Sequence, residues 1–454
     1  MKLIWSYLST EDLKIEKLQL KDEGKDLRSV EKEFEFLLGK DVSANPVLQK
    51  RAEALLDKTV KLPAVNGYPF KEPSDLKGIR GLRSKGKRKF KKLPSDKVLL
   101  DKVTGAWLGR CAGCMLGKPV EGRKRKDLWP LLRELNEFPL KNYMSSDIPA
   151  ALIKKYNIDP NFAWINRIKR SVEDDDTNYT VTGFAVMKQY GKDFKPEDMA
   201  MFWMQNIPYL HLCTAERVAY KNFTSMELTP PGSAVFRNPY REWIGAQIRG
   251  DFFGYAAMGN PEKAAEYAWR DASISHVKNG IYGEMWVAAM LASAAVLKDV
   301  KAVIEAGLSE IPKTSRLYAE VKDVIAWKEE GILYSEAIER IHGKWDENLQ
   351  HHWCHTNSNA QIVAMGLLWS EGDFEKAICR AVEACFDTDC NGATVGSVMG
   401  MMLGGKKLPK KWTKPLNNEL ETGIAGYYLV KITDIAKEGF ELFKNLEMIK
   451  QIRQ

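Results

Sequence analysis

Two runs of carboxylates interrupt otherwise apolar sequence. Glu173-Asp174-Asp175-Asp176-Thr177 precedes TNYTVTGFAVMKQYG, and Asp387-Thr388-Asp389-Cys390-Asn391-Gly392 precedes GATVGSVMGMMLGG. One carboxylate at a helix N-terminus is an ordinary cap, favoured by the free N–H groups and the helix dipole. Several are harder to account for, because adjacent like charges repel and their burial calls for a cation. Asp-Asp and Asp-x-Asp are natural hard-oxygen ligand sets for Mg²⁺ or Ca²⁺. The second run has no basic residue between Arg380 and Lys406, so its neutralising charge must come from elsewhere. The pattern favours metal binding over capping alone. It predicts that the two runs, far apart in the chain, meet at one centre.

Other chemistry-bearing residues point less sharply. Seven cysteines are an odd number for a long chain, which speaks against a disulfide framework and for reduced thiols in a cytoplasmic protein. Cys111 and Cys114 could form half of a zinc site completed by Cys385 and Cys390. They sit among packing glycines, however, which favours a core role. His351, His352 and His355 cluster near Trp353 without carboxylates at ligand spacing. No His-Asp dipeptide occurs, which argues against the metal phosphohydrolases built on one.

The elements that must position these residues are helices. From Asp96 onward, long segments such as KVLLDKVTGAWLGRCAGCMLGK, MWVAAMLASAAVLKD, AQIVAMGLLWSEG and FEKAICRAVEACF are separated by short Gly, Pro or Asn breaks. Several are apolar on nearly every side and belong in a deep core. Alternating β-branched runs are almost absent, so the fold class is all-α, with one large helical domain. Residues 1–97 read as a separate extension of three helices: one through EDLKIEKLQLKDE after a Ser9 or Thr10 cap, one through SVEKEFEFLLGK, and one starting at Pro46. Pro208 to Arg241 is the longest stretch that reads as irregular. Residues 441–454 read as a helical tail.

Of 454 residues, 68 are Lys or Arg and 60 Asp or Glu, a net charge of +8. The excess lies in the first hundred residues, chiefly in Lys77 to Lys92, with nine basic and no acidic residues. Without interleaved aromatics it reads as a solvated surface segment or linker rather than a nucleic-acid contact. No apolar run is long enough to span a membrane, and the run in MKLIWSYLSTEDLK is too short for a secretory signal.

The motifs taken together resemble the ADP-ribosylglycohydrolase family. Gly105-Ala106-Trp107-Leu108-Gly109-Arg110-Cys111-Ala112-Gly113-Cys114-Met115-Leu116-Gly117-Lys118-Pro119-Val120-Glu121 is similar to that family's opening motif, GALLGxAxGDxLGxPxE. Asp174 to Thr177 resembles its (S/T)DDT motif, and DTDCNGATVG, Asp387 to Gly396, its DTD(T/S)N motif. The resemblance spans roughly residues 98–440. It implies an all-α domain with two metal ions, usually Mg²⁺ and with Mn²⁺ as an alternative, in a central cleft. It also implies cleavage of the glycosidic bond of a small-molecule or protein-linked ADP-ribosyl substrate. Carried over by position, the metal ligands are Asp174, Asp175, Asp176, Asp387, Asp389 and Cys390. Glu121 and Asp389 serve the hydrolysis. Gly245 and Arg249, in a looser match to a GAAMR loop, and His276 contact the substrate.

This sequence departs from the family where Cys114 replaces an Asp, Asp174 a Ser or Thr, and Cys390 a Thr or Ser. A thiol is a poor partner for Mg²⁺, so a changed metal preference is expected. Two other readings remain: a hydrolase of a different N- or O-glycoside, and a non-catalytic ligand-binding member of the fold. An all-α isoprenoid synthase would need Asp-Asp-x-x-Asp, which Asp174 to Thr180 lacks.

Overall fold

Gly105, Gly109, Gly113 and Gly117 recur every four residues, as do Gly392, Gly396 and Gly400, so each set forms one stripe along a helix. In a computed structural model, which describes residues 7–225 and 229–452, these stripes face each other. The helices Asp96–Gly117 and Thr388–Leu403 pack backbone to backbone. A Cβ on Gly113 would collide with the Gly392 carbonyl, one on Gly109 with that of Gly396, and one on Gly105 with that of Gly400. The contact extends to the end that carries chemistry. Gly117 lies against Thr388 and Asp389, and the Thr388 hydroxyl donates to the Gly117 carbonyl at 2.9 Å. A contact without side chains thus fixes where Asp389 stands relative to the segment following Gly117.

Around this pair the chain is all-α. Among the described residues the only strands are the three-residue antiparallel pair Glu419–Glu421 and Leu429–Lys431. One continuous apolar core runs from Ile79 to Leu446. The helix Asn279–Ala294 is buried along its whole length, as its all-round apolar sequence requires.

The three expected N-terminal helices are Thr10–Asp22, Glu31–Leu38 and Pro46–Thr59, the first held by a Ser9–Asp12 capping box. They share a small core of their own, including Leu13, Leu20, Phe34, Leu37 and Leu55. They are bound to the main domain by buried charge. Arg241 pairs with Glu16 at 2.6 Å and Glu23 at 2.8 Å, and Arg316 with Glu72 at 2.8 Å and Glu242 at 2.7 Å.

Three sequence expectations change. The basic segment divides by residue type. Lys77, Lys85, Lys87, Lys89, Lys91 and Lys92 are exposed, as a solvated segment requires. The arginines are docked: Arg80 on Glu266 (3.0 Å), Arg83 on Glu262 (2.9 Å) and Glu310 (2.5 Å), Arg88 on Glu310 (2.8 Å). The stretch from Pro208 to Arg241 contains the helices Thr214–Ser225 and Gly232–Val235. Buried Asn222 ties them together by donating to the carbonyls of Ser233 and Phe236, a tertiary contact that periodicity does not report. The C-terminal tail is not separate, because one helix, Ile432–Ile452, crosses the expected boundary and buries Ile435, Ala436, Phe440 and Phe443 in the main core.

Candidate active site

The two acidic runs sit at the N-termini of the helices Asp175–Tyr190 and Thr388–Leu403, and Glu121 follows the turn Lys118–Val120. The three segments converge. Carboxylate oxygens of Glu121, Asp387 and Asp389 lie within 4.8 Å of one another. Asp176, Asp389 and the Cys390 sulfur form a second such group, and the Cys114 sulfur, Asp174 and Asp176 a third. Asp389 and Asp176 are each shared between two groups, so this is one centre. The expected meeting of the runs is what the fold delivers. Just before Asp387, Cys385 and Phe386 hold φ of 63° and 57°, left-handed values that non-glycine residues rarely adopt. Such strain is tolerated where the surroundings dictate a geometry, and here it immediately precedes Asp387, which meets Glu121 and Asp389.

Each carboxylate has its own environment. Asp174 caps its helix, with Oδ1 accepting the Asp176 N–H at 2.9 Å, while its Oδ2 takes the Lys118 ammonium. Burial works against its charge, but Lys118 overrides burial and holds its pKa below the usual range. Arg110, fully buried, donates to the Asp176 carbonyl at 2.7 Å and pairs with Asp176 at 3.1 Å and Asp251 at 2.8 Å. Even so, burial pushes Asp176 well above the ordinary carboxylate range. Asp387 is raised in the same way, by burial and then by Asp389 and Glu121. Asp175 is pushed up to about 8 by burial and by Asp174 and Asp389, although the Cys213 thiol donates to it. Asp389 rises to about 6 through burial and Asp174. Glu121, solvent-exposed at the rim, is raised to about 9 chiefly by the charge of Asp389.

Six carboxylates therefore share two protein cations, one of which also serves Asp251. Asp176 Oδ2 and Asp389 Oδ1 are buried and have no hydrogen-bond partner among the described residues. Unpartnered buried oxygens in an anionic cluster are what a divalent cation requires, so the donor set fits one.

The expected substrate contacts gather around Glu216. A Cβ on Gly245 would collide with the Glu216 carboxylate. Arg249 is wholly engaged inside the protein, on Asp271 at 2.5 Å, Glu216 at 2.6 Å and Glu284 at 3.6 Å. His276 is buried, bonded to the Ser275 hydroxyl at 2.8 Å, with Nε2 3.9 Å from Glu216. Burial, then Arg249, holds it neutral.

The histidine cluster does acquire a carboxylate, Asp22, supplied by the N-terminal extension, 2.9 Å from His351 Nε2 and 4.0 Å from His355 Nε2. Both Nδ1 atoms accept N–H groups, from Trp243 Nε1 and the Asn357 backbone, each at 3.0 Å. Each ring's proton therefore sits on Nε2, where a metal would need a lone pair. The cluster is a hydrogen-bonded clamp between extension and domain. The four-cysteine arrangement does not assemble either: the Cys111 thiol bonds Ser171 and Cys385 the Glu383 carbonyl.

Sequence reasoning passed over Lys118, Arg110 and Cys213. Arg110 had a visible signal, a lone charge inside GAWLGRCAGCMLG, which must find a buried anion. Cys213 had none.

No match is found among curated proteins. A solved structure described as an ADP-ribosylglycohydrolase-related protein complex aligns over 77% of this chain and 99% of its own, at 16% identity and a TM-score of 0.46. The family model for ADP-ribosylglycohydrolase matches residues 95–445, taking in the glycine-striped helices, Glu121 and both acidic runs. The chain belongs to the ADP-ribosylglycohydrolase family.

Proposed function

We propose that this protein is a metal-dependent hydrolase that cleaves the glycosidic bond of an ADP-ribosyl group or a closely related nucleoside-type glycoside. The observation that carries the reading is the convergence of exposed Glu121 with buried Asp387 and Asp389, which adjoin buried Asp176. Glu121, Asp387 and Asp389 would hold one divalent cation, with Mg²⁺ the first choice and Mn²⁺ the next, and Asp176 with Asp389 would hold a second. Bound there, such ions would supply Lewis acidity towards ribose hydroxyls and a water.

The chain's own residues do the rest. Glu121, the accessible carboxyl of the group, accepts the proton of the attacking water or returns one to the leaving group. Asp389 orients that water and sets the proton affinity of Glu121 by its charge. The surrounding carboxylates stabilise the positive charge that develops at the anomeric carbon in an oxocarbenium-like transition state. Lys118 keeps Asp174 ionised and in place as the cap that orients Asp175 and Asp176. Around Glu216, Arg249 and His276 are positioning residues for the Gly245 loop.

The test is a thermal melt with free ADP-ribose, with and without Mg²⁺. Stabilisation that requires both supports the reading. Stabilisation by neither, with activity on a different glycoside, turns it to the alternative hydrolase.

A further inference from the structure

The carboxylate centre is chemically asymmetric. On the Glu121 side every donor is a carboxylate oxygen. On the Asp176 side two sulfurs join in: Cys390 Sγ lies within 4.8 Å of oxygens of Asp176 and Asp389, and Cys114 Sγ within 4.8 Å of an oxygen of Asp176. The remaining oxygens on that side are committed. Asp174 is spent on its cap and on Lys118, and Asp176 Oδ1 on Arg110. The unpartnered donors are Asp176 Oδ2 and Asp389 Oδ1, on side chains that are 0% and 3% exposed.

We propose that the two halves take different metals: the Glu121–Asp387–Asp389 half a hard cation such as Mg²⁺, and the Asp176–Asp389–Cys390 half a cation of the Zn²⁺ class bound through the Cys390 sulfur. One thiolate and two carboxylates, with the fourth position left to water, are a donor set suited to Zn²⁺ and poorly suited to Mg²⁺, which demands oxygen. A buried cysteine that only packs turns toward apolar neighbours or a local hydroxyl. Cys111, on the same helix as Cys114, does this with its bond to Ser171. Cys114 and Cys390 instead face carboxylates, and the Cys390 thiol donates to Asp387, which places it between the two halves. As the metal–sulfur bond forms, the thiol proton leaves to solvent. The proposal rests on the cleft being a cation site, and it does not depend on which glycoside is cleaved.

The test is optical titration of the metal-free full-length protein with Co²⁺. The expected result is a sulfur-to-cobalt charge-transfer band in the near ultraviolet that saturates at one equivalent and survives roughly a hundredfold excess of Mg²⁺. The band should disappear in Cys390→Ser and persist in Cys379→Ser, whose sulfur lies outside the centre. Cd²⁺ titration of the unaltered protein should give the corresponding thiolate absorption, which keeps the test decisive if a variant fails to fold. Cobalt binding without the band, or a band that Cys390→Ser retains, overturns the proposal while leaving the cation site intact. Calorimetry that detects no binding of Mg²⁺, Zn²⁺ or Co²⁺ overturns the metal reading of the cleft together with it.

Discussion

Gly113→Ala puts one methyl group where the helices Asp96–Gly117 and Thr388–Leu403 touch. The new Cβ would overlap the Gly392 carbonyl, with further contacts to the backbone of Gly392 and Ala393, so no flexible side chain can yield. A carbon–oxygen contact relaxes only near 3.3 Å, so the helices must part by about 1 Å. Overpacking against rigid backbone belongs at the upper end of its range, about 3 kcal/mol. Replacing a helical glycine returns about 1 kcal/mol of backbone entropy, leaving about 2 kcal/mol of net loss. In a domain of this size that lowers Tm by about 2 °C. Gly113 lies one turn from Gly117 and Gly392 one turn from Thr388, so the displacement reaches the Glu121–Asp389 pair. A misplacement of about 1 Å costs about a hundredfold in turnover. Gly105→Ala also collides with rigid backbone, at the Gly400 carbonyl, but less deeply and two turns further away, about 12 Å along the helix. It should lower stability too while leaving activity within about threefold of the parent. The assay is scanning calorimetry beside initial rates of ADP-ribose release for both variants. Equal losses of activity in the two, or no loss of stability in either, would refute the argument that this glycine contact sets the site.

Asp389→Asn should abolish hydrolysis while the metal-free protein keeps or gains stability, because a carboxylate leaves a crowded anionic site; measurable turnover would remove Asp389 from the reaction. In the absence of divalent cations, stability should fall as pH rises. Asp389, Asp175 and Glu121 sit at about 6, 8 and 9 in the folded protein, against about 4 when unfolded. The folded state therefore holds the extra protons, and the stability present below about pH 4 is lost as pH climbs through those values. A Tm at pH 8 above that at pH 5, both without metal, would contradict the sign, and adding Mg²⁺ at pH 8 should restore the loss. Neutralising Lys85, Lys87, Lys89, Lys91 and Lys92 should leave turnover of a small glycoside and its salt dependence unchanged. Removing Arg83 and Arg88 together strands Glu310, whose side chain is 0% exposed, at a cost of about 3–5 kcal/mol by chemical denaturation.

The sequence made some levels of this structure legible and hid others. Helical periodicity placed the three N-terminal helices within a few residues, because each carries an apolar face and the first and third a capping side chain. The four-residue glycine spacing announced a close helix contact, though not its partner, since the two stripes are far apart in the chain. The crowding of carboxylates in both acidic runs foretold their convergence, because burying so much like charge at two separate places would be prohibitive. What stayed hidden depends on long-range contacts. Lys118 finds Asp174 only because the turn after Gly117 folds back on the helix Asp175–Tyr190. Asp22 reaches His351 only once the extension docks. The helix Thr214–Ser225 owes its place to Asn222 and to buried Ala215 and Ala219, a face too short to stand out between prolines. The basic segment misled because composition does not distinguish an arginine waiting for a buried glutamate from a lysine in water.

The central claim is that Glu121, beside Asp387 and Asp389, carries out hydrolysis of an ADP-ribosyl bond. The direct measurement is release of ADP-ribose from ADP-ribosylated arginine and serine peptides in ¹⁸O-labelled water with Mg²⁺ and Zn²⁺ present, comparing the parent with Glu121→Gln. The account predicts ADP-ribose carrying one ¹⁸O at the anomeric position from the parent and a loss of about 10³-fold or more in the variant, with ADP-ribose binding retained. Full activity in Glu121→Gln, or release of ADP-ribose without the label, would contradict it.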